Sequence, residues 1–213
     1  MLRRKVFNSR EEWLAGRTSG IGASEAAAAI CMSPFESQYD LWLRKTGQKG
    51  DKDLSGNAAV EYGNRLEGPL RNLFQAEHPE LLVEYHQFDV LYQEERPWIT
   101  ATLDGELTDA DGRKGILEIK TSAISRASQW AKWKDAIPTN YFCQCLQQLY
   151  VTGWDFVCLY AKLTKPNLDS ELRTYRIERS EHEEDIRWLV SELDKFWEKV
   201  KSGTPPTPVL PSL

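Results

Sequence analysis

"GILEIKTS", residues 115–122, is an apolar, β-favouring run that carries two opposite charges two positions apart. Residues i and i+2 of a β-strand project from the same face, so Glu118 and Lys120 are neighbours on one face of the predicted strand. Upstream, "TATLDGEL" (100–107) reads as a strand that ends near Asp104, and a short turn returns the chain to Glu118. Two adjacent antiparallel strands would therefore place Asp104 beside Glu118.

These three side chains predict a metal-dependent site. Two carboxylates held close together repel each other unless a divalent cation lies between them, and carboxylate oxygens are ligands that Mg²⁺ prefers. A lysine ammonium beside the metal can position or deprotonate an attacking water and offset the charge of a phosphorane-like transition state. The sequence thus has a pattern suited to phosphodiester cleavage: Asp104 is followed, after thirteen residues, by Glu118-Ile119-Lys120. The alternative is a structural Glu118/Lys120 ion pair on a half-exposed strand, which contributes little stability.

The composition predicts one domain without a membrane segment. The chain has 213 residues, 41% of them hydrophobic and 28% charged, which is enough for one substantial core. We assign residues 1–203 to a single domain and 204–213 to an extended Pro-rich tail. The apolar stretches are shorter than the roughly 18–20 residues of a membrane helix, and the first residues lack the apolar centre of a signal peptide, which predicts a cytoplasmic protein.

Charge and cysteine content exclude little. The net charge of −5 argues only weakly against a polyanionic partner, because a site can be locally basic or can recruit metal cations. The four cysteines form no CxxC pair and are expected to be reduced thiols, mostly buried; they are Cys31, Cys143, Cys145 and Cys158.

Hydrophobic periodicity predicts an α/β order of elements. We expect a short helix capped by Ser24, a helix ending at Gly47, and a helix over 58–78 that Gly63 and Pro69 should bend or loosen. Strands are predicted at 81–92, 98–107, 115–122, 156–163 and 171–178, and further helices at 127–137, 139–151 and 180–203, the last opened by a capping box of Ser180 and Glu183. A strand, a helical crossover and another strand indicate a mixed or parallel sheet covered by helices.

Four segments together resemble the YqaJ-type viral recombinase family, to which the phage lambda exonuclease is similar, within the PD-(D/E)xK nuclease superfamily. They are "LDG…LEIKTS", Arg17–Gly47, Gly63–Phe74 and Tyr141–Gly153. The resemblance covers about residues 13–163, and the joint match in order and spacing is more specific than the short D-(x)n-ExK motif alone. It implies a restriction-endonuclease-like α/β core in which a central mixed β-sheet is flanked by α-helices.

The resemblance also implies a role for each matching residue. Asp104 and Glu118 match metal-binding carboxylates, with the backbone carbonyl of Ile119 as a further ligand and Glu67 as an additional acid near the metals. Lys120 matches the catalytic lysine, Tyr141 and Gln144 match a pair that closes over the active site, and Arg17 and Ser24 match residues that hold a terminal 5′-phosphate. The implied activity is Mg²⁺-dependent 5′-to-3′ exonuclease action on linear double-stranded DNA, which leaves 3′ overhangs.

The same resemblance implies cofactors and partners. Two Mg²⁺ ions are expected per active site, and Mn²⁺ is expected to substitute. Relatives of phage or prophage origin work beside a single-strand annealing protein in recombination and form ring-shaped homotrimers. Neither partner follows from composition or periodicity.

Some of these roles have independent support, and others leave alternatives open. A helix N-terminus at Ser24 with Arg17 nearby would favour an anion, although a purely capping serine is the alternative. Glu67 lies beside the apolar stripe of its helix, an unusual place for an unpaired acid. Tyr141 and Gln144 share a helix face, but a core-facing Tyr141 with an exposed Gln144 fits the spacing equally well.

Two further interpretations concern neighbouring residues. Asp89, on the preceding strand, is a weaker candidate ligand, whereas Asp109 and Asp111 are expected to be solvated turn residues. A helical face with two tryptophans and three basic residues either tracks a DNA backbone or is an ordinary amphipathic surface; its members are Arg126, Trp130, Lys132, Trp133 and Lys134.

The competing functions are an endonuclease of the same superfamily, an iron-sulfur nuclease of the CRISPR-associated type, and a catalytically inactive DNA-binding protein on this fold. Cys143 and Cys145 lie on one predicted helix, which does not suit a four-cysteine cluster. The intact set of Glu67, Asp104, Glu118 and Lys120 argues against an inactive protein.

Overall fold

A computed structural model of the protein describes residues 1–17, 19–50, 56–134, 136–167 and 169–207. Its helices are α1 (Arg10–Arg17), α2 (Ala26–Ala29), α3 (Gln38–Lys45), α4 (Ala58–Glu77), α5 (Ala127–Ala131), α6 (Thr139–Thr152) and α7 (Glu183–Ser202). Its strands are β1 (Leu2–Val6), β2 (Ile21–Gly22), β3 (Leu82–Glu84), β4 (Asp89–Gln93), β5 (Arg96–Ala101), β6 (Gly105–Thr108), β7 (Lys114–Ala123), β8 (Phe156–Thr164) and β9 (Ser170–Glu178). Short 3₁₀ turns cover Ala23–Glu25 and Arg179–Glu181.

The "GILEIKTS" run lies in β7, the central strand of a five-stranded mixed sheet with the order β3-β6-β7-β8-β9. Strands β6 and β7 are antiparallel, with Gly105 opposite Leu117. Strands β7 and β8 are parallel along their whole length and are connected through α5 and α6, as the strand, helix and strand pattern predicts. A second sheet, in the order β1-β4-β5-β2, was not expected from the sequence.

The alternation of side chains along β7 and β8 explains why helices cover both faces of the five-stranded sheet. Ile116 and Val157 point to one side, into a core shared with α6 and α7. Leu117 and Phe156 point to the other side, into a core shared with Leu70 and other residues of α4. Because both faces are apolar, the strands are buried on both sides, and the mixed sheet flanked by helices that the sequence predicts is confirmed.

Two predicted strands are each divided between the two sheets. The run 81–92 contains β3 and β4, separated by Phe88, whose φ of 59° interrupts an extended backbone. The run 98–107 contains β5 and β6, and residues 102–104 between them carry the chain from one sheet to the other. Asp104 therefore lies at a break between sheets, directly before β6.

Two predicted helix caps are wrong. Ser24 lies inside the Ala23–Glu25 turn, and Glu25 accepts the backbone N–H of Gly22 at 2.9 Å, so Gly22 begins this turn. Ser180 likewise lies inside a 3₁₀ turn, and α7 begins after His182. In both places a 3₁₀ turn precedes the helix and displaces the predicted capping serine.

The predicted helix over 127–137 is also shorter in the structure. Helix α5 ends at Ala131, and a tighter turn continues through bonds such as Trp133 N–H to Trp130 C=O at 3.0 Å. Trp133 is buried, and its ring packs near those of Tyr141 and Tyr175. Trp133 therefore cannot belong to an exposed DNA-tracking face, because it is part of the core.

Other helical predictions are confirmed. Helix α3 starts after its cap Ser37 and ends before Gly47, which has a φ of 72°. Helix α4 runs without interruption through Gly63 and Pro69, so neither residue divides it. None of the helices in the described ranges is both long and apolar enough to cross a bilayer.

Most cysteines are buried, and the described part of the tail is irregular. Cys143, Cys145 and Cys158 are buried free thiols, as expected, and Cys31 is exposed. Residues 204–207 of the predicted tail have no regular structure, and Pro206 among them is buried. The rest of the tail, 208–213, lies outside the described residues.

Candidate active site

An open cleft of about 360 Å³ lies where β7 passes the break between β5 and β6. Helix α4 and helix α6 form its two walls, and α1 and the turn before α2 form part of its rim. The cleft is lined by every residue to which the sequence assigned a role except Tyr141; these are Arg17, Ser24, Glu67, Asp104, Glu118, Ile119, Lys120 and Gln144.

Asp104 is fixed by the backbone of the strand that carries the other two motif residues. Its Oδ2 accepts the Ile119 N–H at 2.8 Å. This contact extends the β6–β7 pairing beyond Gly105, the first residue of β6. Burial, together with the nearby carboxylates of Glu118 and Glu67, raises the pKa of Asp104 well above its usual range. Burial is the larger cause, and the proximity of Asp104 to Glu118 that the sequence predicts adds to it.

Glu118 is almost fully buried, with 2% of its surface exposed, and three donors hold its carboxylate. Gln144 Nε2 donates to Oε1 at 2.6 Å, and Gln148 Nε2 donates to Oε2 at 2.5 Å. Lys120 Nζ forms an ion pair with Oε1, also at 2.6 Å. Two neutral amides and one cation thus compensate the cost of burying this charge.

Lys120 lies between Glu118 and the ring of Tyr141, whose centroid is 5.1 Å from Nζ. Burial by itself would lower the pKa of Lys120, but attraction by Glu118 and Asp104 outweighs burial and raises this pKa above its ordinary value. The side chain is therefore an ammonium in this arrangement, which suits charge stabilisation rather than deprotonation of water.

Glu67, on the opposite wall, is held less tightly than Glu118. Its side chain is one-third exposed, and Arg71, one turn further along α4, pairs with Oε1 at 2.7 Å. Burial raises the pKa of Glu67 and Glu118 adds to the rise, against the attraction of Arg71. The Arg71 guanidinium also donates to the Asp104 carbonyl at 2.5 Å and stacks 3.5 Å from the Tyr85 ring centroid. Arg71 thereby links Glu67 to the segment that carries Asp104.

The rim of the cleft carries Arg17, which forms no ion pair with a carboxylate of the described residues. The guanidinium of Arg17 lies 4.5 Å from the Trp13 ring centroid, and Trp13 Nε1 donates to the Asp89 carbonyl at 3.0 Å. Burial lowers the pKa of Arg17, although Glu25 and Asp104 counteract this effect. Ser24, exposed on the same rim, leaves its hydroxyl open to the cleft. A guanidinium and a hydroxyl at one edge are suited to an anionic group.

Asp89 also lines the cleft, but it is already paired. Its Oδ2 contacts Arg4 Nη1 at 3.0 Å, and the same guanidinium contacts Glu106. Arg4 thus joins β4 of one sheet to β6 of the other. This pairing makes Asp89 a structural residue in the present arrangement.

The oxygen atoms around the cleft suit a hard divalent cation, although the carboxylates now face protein donors. Within the described ranges, no three or more Asp, Glu, His and Cys side chains are gathered into a metal-binding group. The N–H of Ile119 points to Asp104, away from β8, and the carbonyl of a strand residue points to the same side as its N–H. The Ile119 carbonyl is therefore directed toward the edge of β7 that lies beyond Gly105, the first residue of β6.

Three contributors to this site were not predicted from the sequence: Arg71, Gln148 and Tyr85. Two of them had a signal in the spacing. Arg71 is four residues after Glu67, and Gln148 is four residues after Gln144, so each pair shares a helix face. No local pattern pointed to Tyr85, because its contact with Arg71 joins separate parts of the chain.

Comparisons with known proteins show the family of the chain. The family described as YqaJ-like viral recombinase domain matches residues 12–155. The chain is 30% identical over 148 residues to the uncharacterized protein YqaJ of Bacillus subtilis strain 168, which covers 70% of this chain and 44% of that protein. The chain therefore spans less than half the length of that relative.

Two solved structures share the fold. The alkaline exonuclease LHK-Exo from Laribacter hongkongensis superposes with a TM-score of 0.69 at 20% identity, covering 91% of this chain and 94% of that one. A phage-related exonuclease from Haemophilus somnus 129PT superposes with a TM-score of 0.54 at 17% identity, covering 86% and 96%. These similarities confirm the restriction-endonuclease-like fold. With a match over residues 12–155 and this fold, the chain belongs to the family of YqaJ-like viral recombinase domains.

Proposed function

We propose that this protein is a metal-dependent DNA exonuclease that hydrolyses one strand of linear duplex DNA from its 5′ end and leaves a 3′ overhang. The observation that carries the proposal is the meeting of Asp104, Glu118 and Lys120 at one cleft, with Arg17 on its rim. Family membership and the fold shared with two exonuclease structures support the same class of reaction.

The reaction is hydrolysis of a phosphodiester. A water oxygen bonds to phosphorus, the bond from phosphorus to the 3′ oxygen of the terminal nucleotide breaks, and that oxygen takes up a proton. In the proposed direction this bond must break, because the next nucleotide then keeps a 5′-phosphate for Arg17 and Ser24. The Lys120 ammonium stabilises the negative charge that builds on the phosphoryl oxygens.

Mg²⁺ fits the donors of this cleft, and Mn²⁺ is expected to substitute. Asp104, Glu118, Glu67 and the Ile119 carbonyl would hold two ions, with Glu118 exchanging a protein donor for the metal. When bound, the metal polarises the phosphodiester and makes the attacking water more acidic. Support comes from the raised pKa values of Asp104 and Glu67, because a cation between these carboxylates would relieve the repulsion that contributes to them.

The proposal includes two partners implied by the family resemblance. A single-strand annealing protein would take up the exposed 3′ strand, and a homotrimeric ring would keep an acidic chain on DNA by topology rather than charge. Light scattering of the purified protein tests the ring, since a monomer with and without DNA contradicts this part of the proposal. Digestion of long duplex in the presence of trap DNA tests whether the protein stays bound.

Incubation of linear duplex with and without a 5′-phosphate, in Mg²⁺ and in chelator, tests the activity. We expect degradation only with metal and faster degradation of the phosphorylated end. Cutting of closed circular DNA would favour an endonuclease instead, and binding without cleavage in any metal would favour an inactive DNA-binding protein.

Arg17→Ala sharpens this experiment. Arg17 has no carboxylate partner in the described ranges, so its removal should erase most of the preference for the phosphorylated end while leaving the hydroxyl end nearly unaffected. A charge-assisted contact of this kind is worth about 1.5–3 kcal/mol, or roughly 10- to 100-fold in rate. Equal losses on both kinds of end would contradict the role of Arg17.

A further inference from the structure

A cluster of one lysine and three hydroxyl side chains lies outside the cleft, on the α4 face of the five-stranded sheet. Lys162 Nζ donates to three neutral oxygens: Tyr62 Oη at 3.1 Å, Thr164 Oγ1 at 3.3 Å and Ser170 Oγ at 2.8 Å. We name these four residues the rim cluster; it is separate from the part of the cleft rim that carries Arg17 and Ser24. Tyr62 is 40% exposed and Ser170 is exposed, so the cluster is accessible to a ligand.

The rim cluster has donors in excess of acceptors. Lys162 is partly buried and, among the described residues, its ammonium has hydroxyl partners and no ion pair with a carboxylate. Each hydroxyl that accepts from the ammonium retains its own proton for donation. Thr164 and Ser170 oxygens are 3.3 Å apart, so one of these protons is shared between them. The cluster therefore offers a positive charge and two free O–H donors.

The position of the rim cluster relates it to the proposed reaction. Lys162 of β8 is the register partner of Thr121 of β7, and Thr121 is next to Lys120. Tyr62 precedes Gly63 on α4, and a Cβ at Gly63 would be 3.2 Å from Thr121 Oγ1. Gly63 and Thr121 both line the cleft. Tyr62 is therefore one residue from the cleft lining along α4, and Lys162 is on β8, directly beside Thr121.

A second lysine, directly after β8, also has an aromatic neighbour, on the side of the sheet that faces α5. Lys165, three residues after Lys162, lies 5.0 Å from the ring centroid of Trp130, and no carboxylate in the described residues pairs with it. Cations alternating with aromatic rings are typical of surfaces that bind nucleic-acid backbones.

We propose that the rim cluster binds a backbone phosphate of the DNA outside the cleft, in a contact separate from the one at Arg17. The inference rests on the proposed function, because it takes DNA as the substrate. A phosphodiester oxygen accepts from the hydroxyls of Tyr62 and Ser170, and it replaces one of the three oxygens that now accept from the Lys162 ammonium. The contact reads no base, so it contributes affinity without sequence preference.

The experiment measures binding of a short, blunt, 5′-phosphorylated and fluorescently labelled duplex in chelator, over a series of salt concentrations. Lys162→Gln removes the charge. Lys114→Gln is the control, because Lys114, although more exposed than Lys162, likewise has no carboxylate partner in the described ranges and donates to a hydroxyl, that of Thr108, at 2.8 Å. It lies at the opposite end of β7. A plot of log K against log salt has a negative slope, and each lost phosphate contact reduces its magnitude by about 0.9.

We expect Lys162→Gln to make the negative slope shallower by about 0.9 and to weaken binding at low salt. Lys114→Gln should change neither the slope nor the affinity. Tyr62→Phe, which keeps the charge, should weaken binding less and leave the slope unchanged. With Mg²⁺ present, Lys162→Gln should raise KM for DNA and leave kcat unchanged. An unaltered slope in Lys162→Gln, or an equal drop in Lys114→Gln, overturns the inference alone. A wild-type protein that binds no DNA overturns the proposed function as well.

Discussion

The two walls of the cleft hold their acidic residues in different ways. On the α6 wall, Glu118 is buried and its two carboxylate oxygens accept from Gln144, Gln148 and Lys120. On the α4 wall, Glu67 is one-third exposed, and its ion-pair partner among the described residues is Arg71. The same chemical group is therefore fixed on one side of the cleft and adaptable on the other.

This difference separates two contributions to a metal site. Burying Glu118 among neutral amides keeps its negative charge while limiting its movement, which favours pre-organisation. The Glu67 carboxylate is one-third exposed, so water can replace Arg71 as its partner more readily than it can replace the donors of the buried Glu118. We therefore expect changes on the α6 wall to affect activity and stability together, and changes on the α4 wall to affect activity with little effect on stability.

The largest effect is expected from Lys120→Met, which removes the ammonium between the walls. Its loss should lower kcat about 10²- to 10³-fold or more, the range for removing a group that stabilises transition-state charge. Glu118 keeps its bonds to Gln144 and Gln148, so the variant should fold. Single-turnover cleavage and circular dichroism check this, with Lys195→Met on α7 as a control. Near-normal turnover by a folded Lys120→Met protein contradicts the assigned site.

The next effect compares two adjacent glutamines of α6. Gln148 donates to Glu118 and to the Thr102 carbonyl, whereas Gln147 donates to the carbonyls of Ile21 and Thr100. Truncation of either buried side chain to Ala should cost about 1–3 kcal/mol of unfolding free energy, since buried acceptors lose their donors. Only Gln148→Ala should also lower kcat, by about tenfold, as expected when a residue that orients a ligand is removed.

Denaturant unfolding and kcat, measured at a temperature where both variants are folded, separate the two glutamines. Similar losses of kcat in Gln147→Ala and Gln148→Ala would mean that α6 acts through general stability. In that case the distinction between the walls would not hold.

How much of this could be predicted from the sequence differs between the walls as well. The alternation in "GILEIKTS" placed Glu118 and Lys120 on one face, and the turn before it placed Asp104 beside them, because both are short-range consequences of strand geometry. The partners of Glu118 depend on how α6 packs across the sheet. Spacing on α6 could group Gln144 with Gln148, but it could not decide which face of the helix the strand would meet.

The failures in the fold have a related cause. Strand-like runs at 81–92 and 98–107 have continuous β propensity, yet each divides where the chain passes between sheets. Propensity does not report which strand pairs with which, so one long strand and two short ones read alike. The serines at 24 and 180 were misassigned as caps for a similar reason, since a preceding 3₁₀ turn has no strong sequence signal.

The adaptable wall makes a milder prediction. Glu67→Gln keeps an acceptor for Arg71 and should change the unfolding free energy by less than about 0.5 kcal/mol. It should raise the Mg²⁺ concentration for half-maximal activity about tenfold, because one negative ligand is neutralised. Glu61→Gln, on the first turn of the same helix, is the control. A stability loss in Glu67→Gln comparable to that of Gln148→Ala would contradict the contrast between the walls.

The smallest expected effect concerns Asp104, which lies between the walls, in protein kept in chelator. Burial and the other carboxylates raise the pKa of Asp104 in the folded state above the value of about 3.9 in an unfolded chain. The folded protein therefore binds this proton more tightly, and the free energy of unfolding falls as pH rises from the unfolded value through the raised one. Asp104→Asn removes the charge but keeps an acceptor for the Ile119 N–H, so it should be more stable than wild type at neutral pH and should show a flatter pH dependence.

Mg²⁺ should raise the stability of the wild type and have less effect on the variant, since the ion offsets the same repulsion. Urea unfolding in chelator at acidic and neutral pH, repeated with Mg²⁺, checks both parts. An Asp104→Asn protein that is less stable than wild type at neutral pH would show that this carboxylate stabilises the fold through its bond to Ile119, and that its proximity to Glu118 carries no cost.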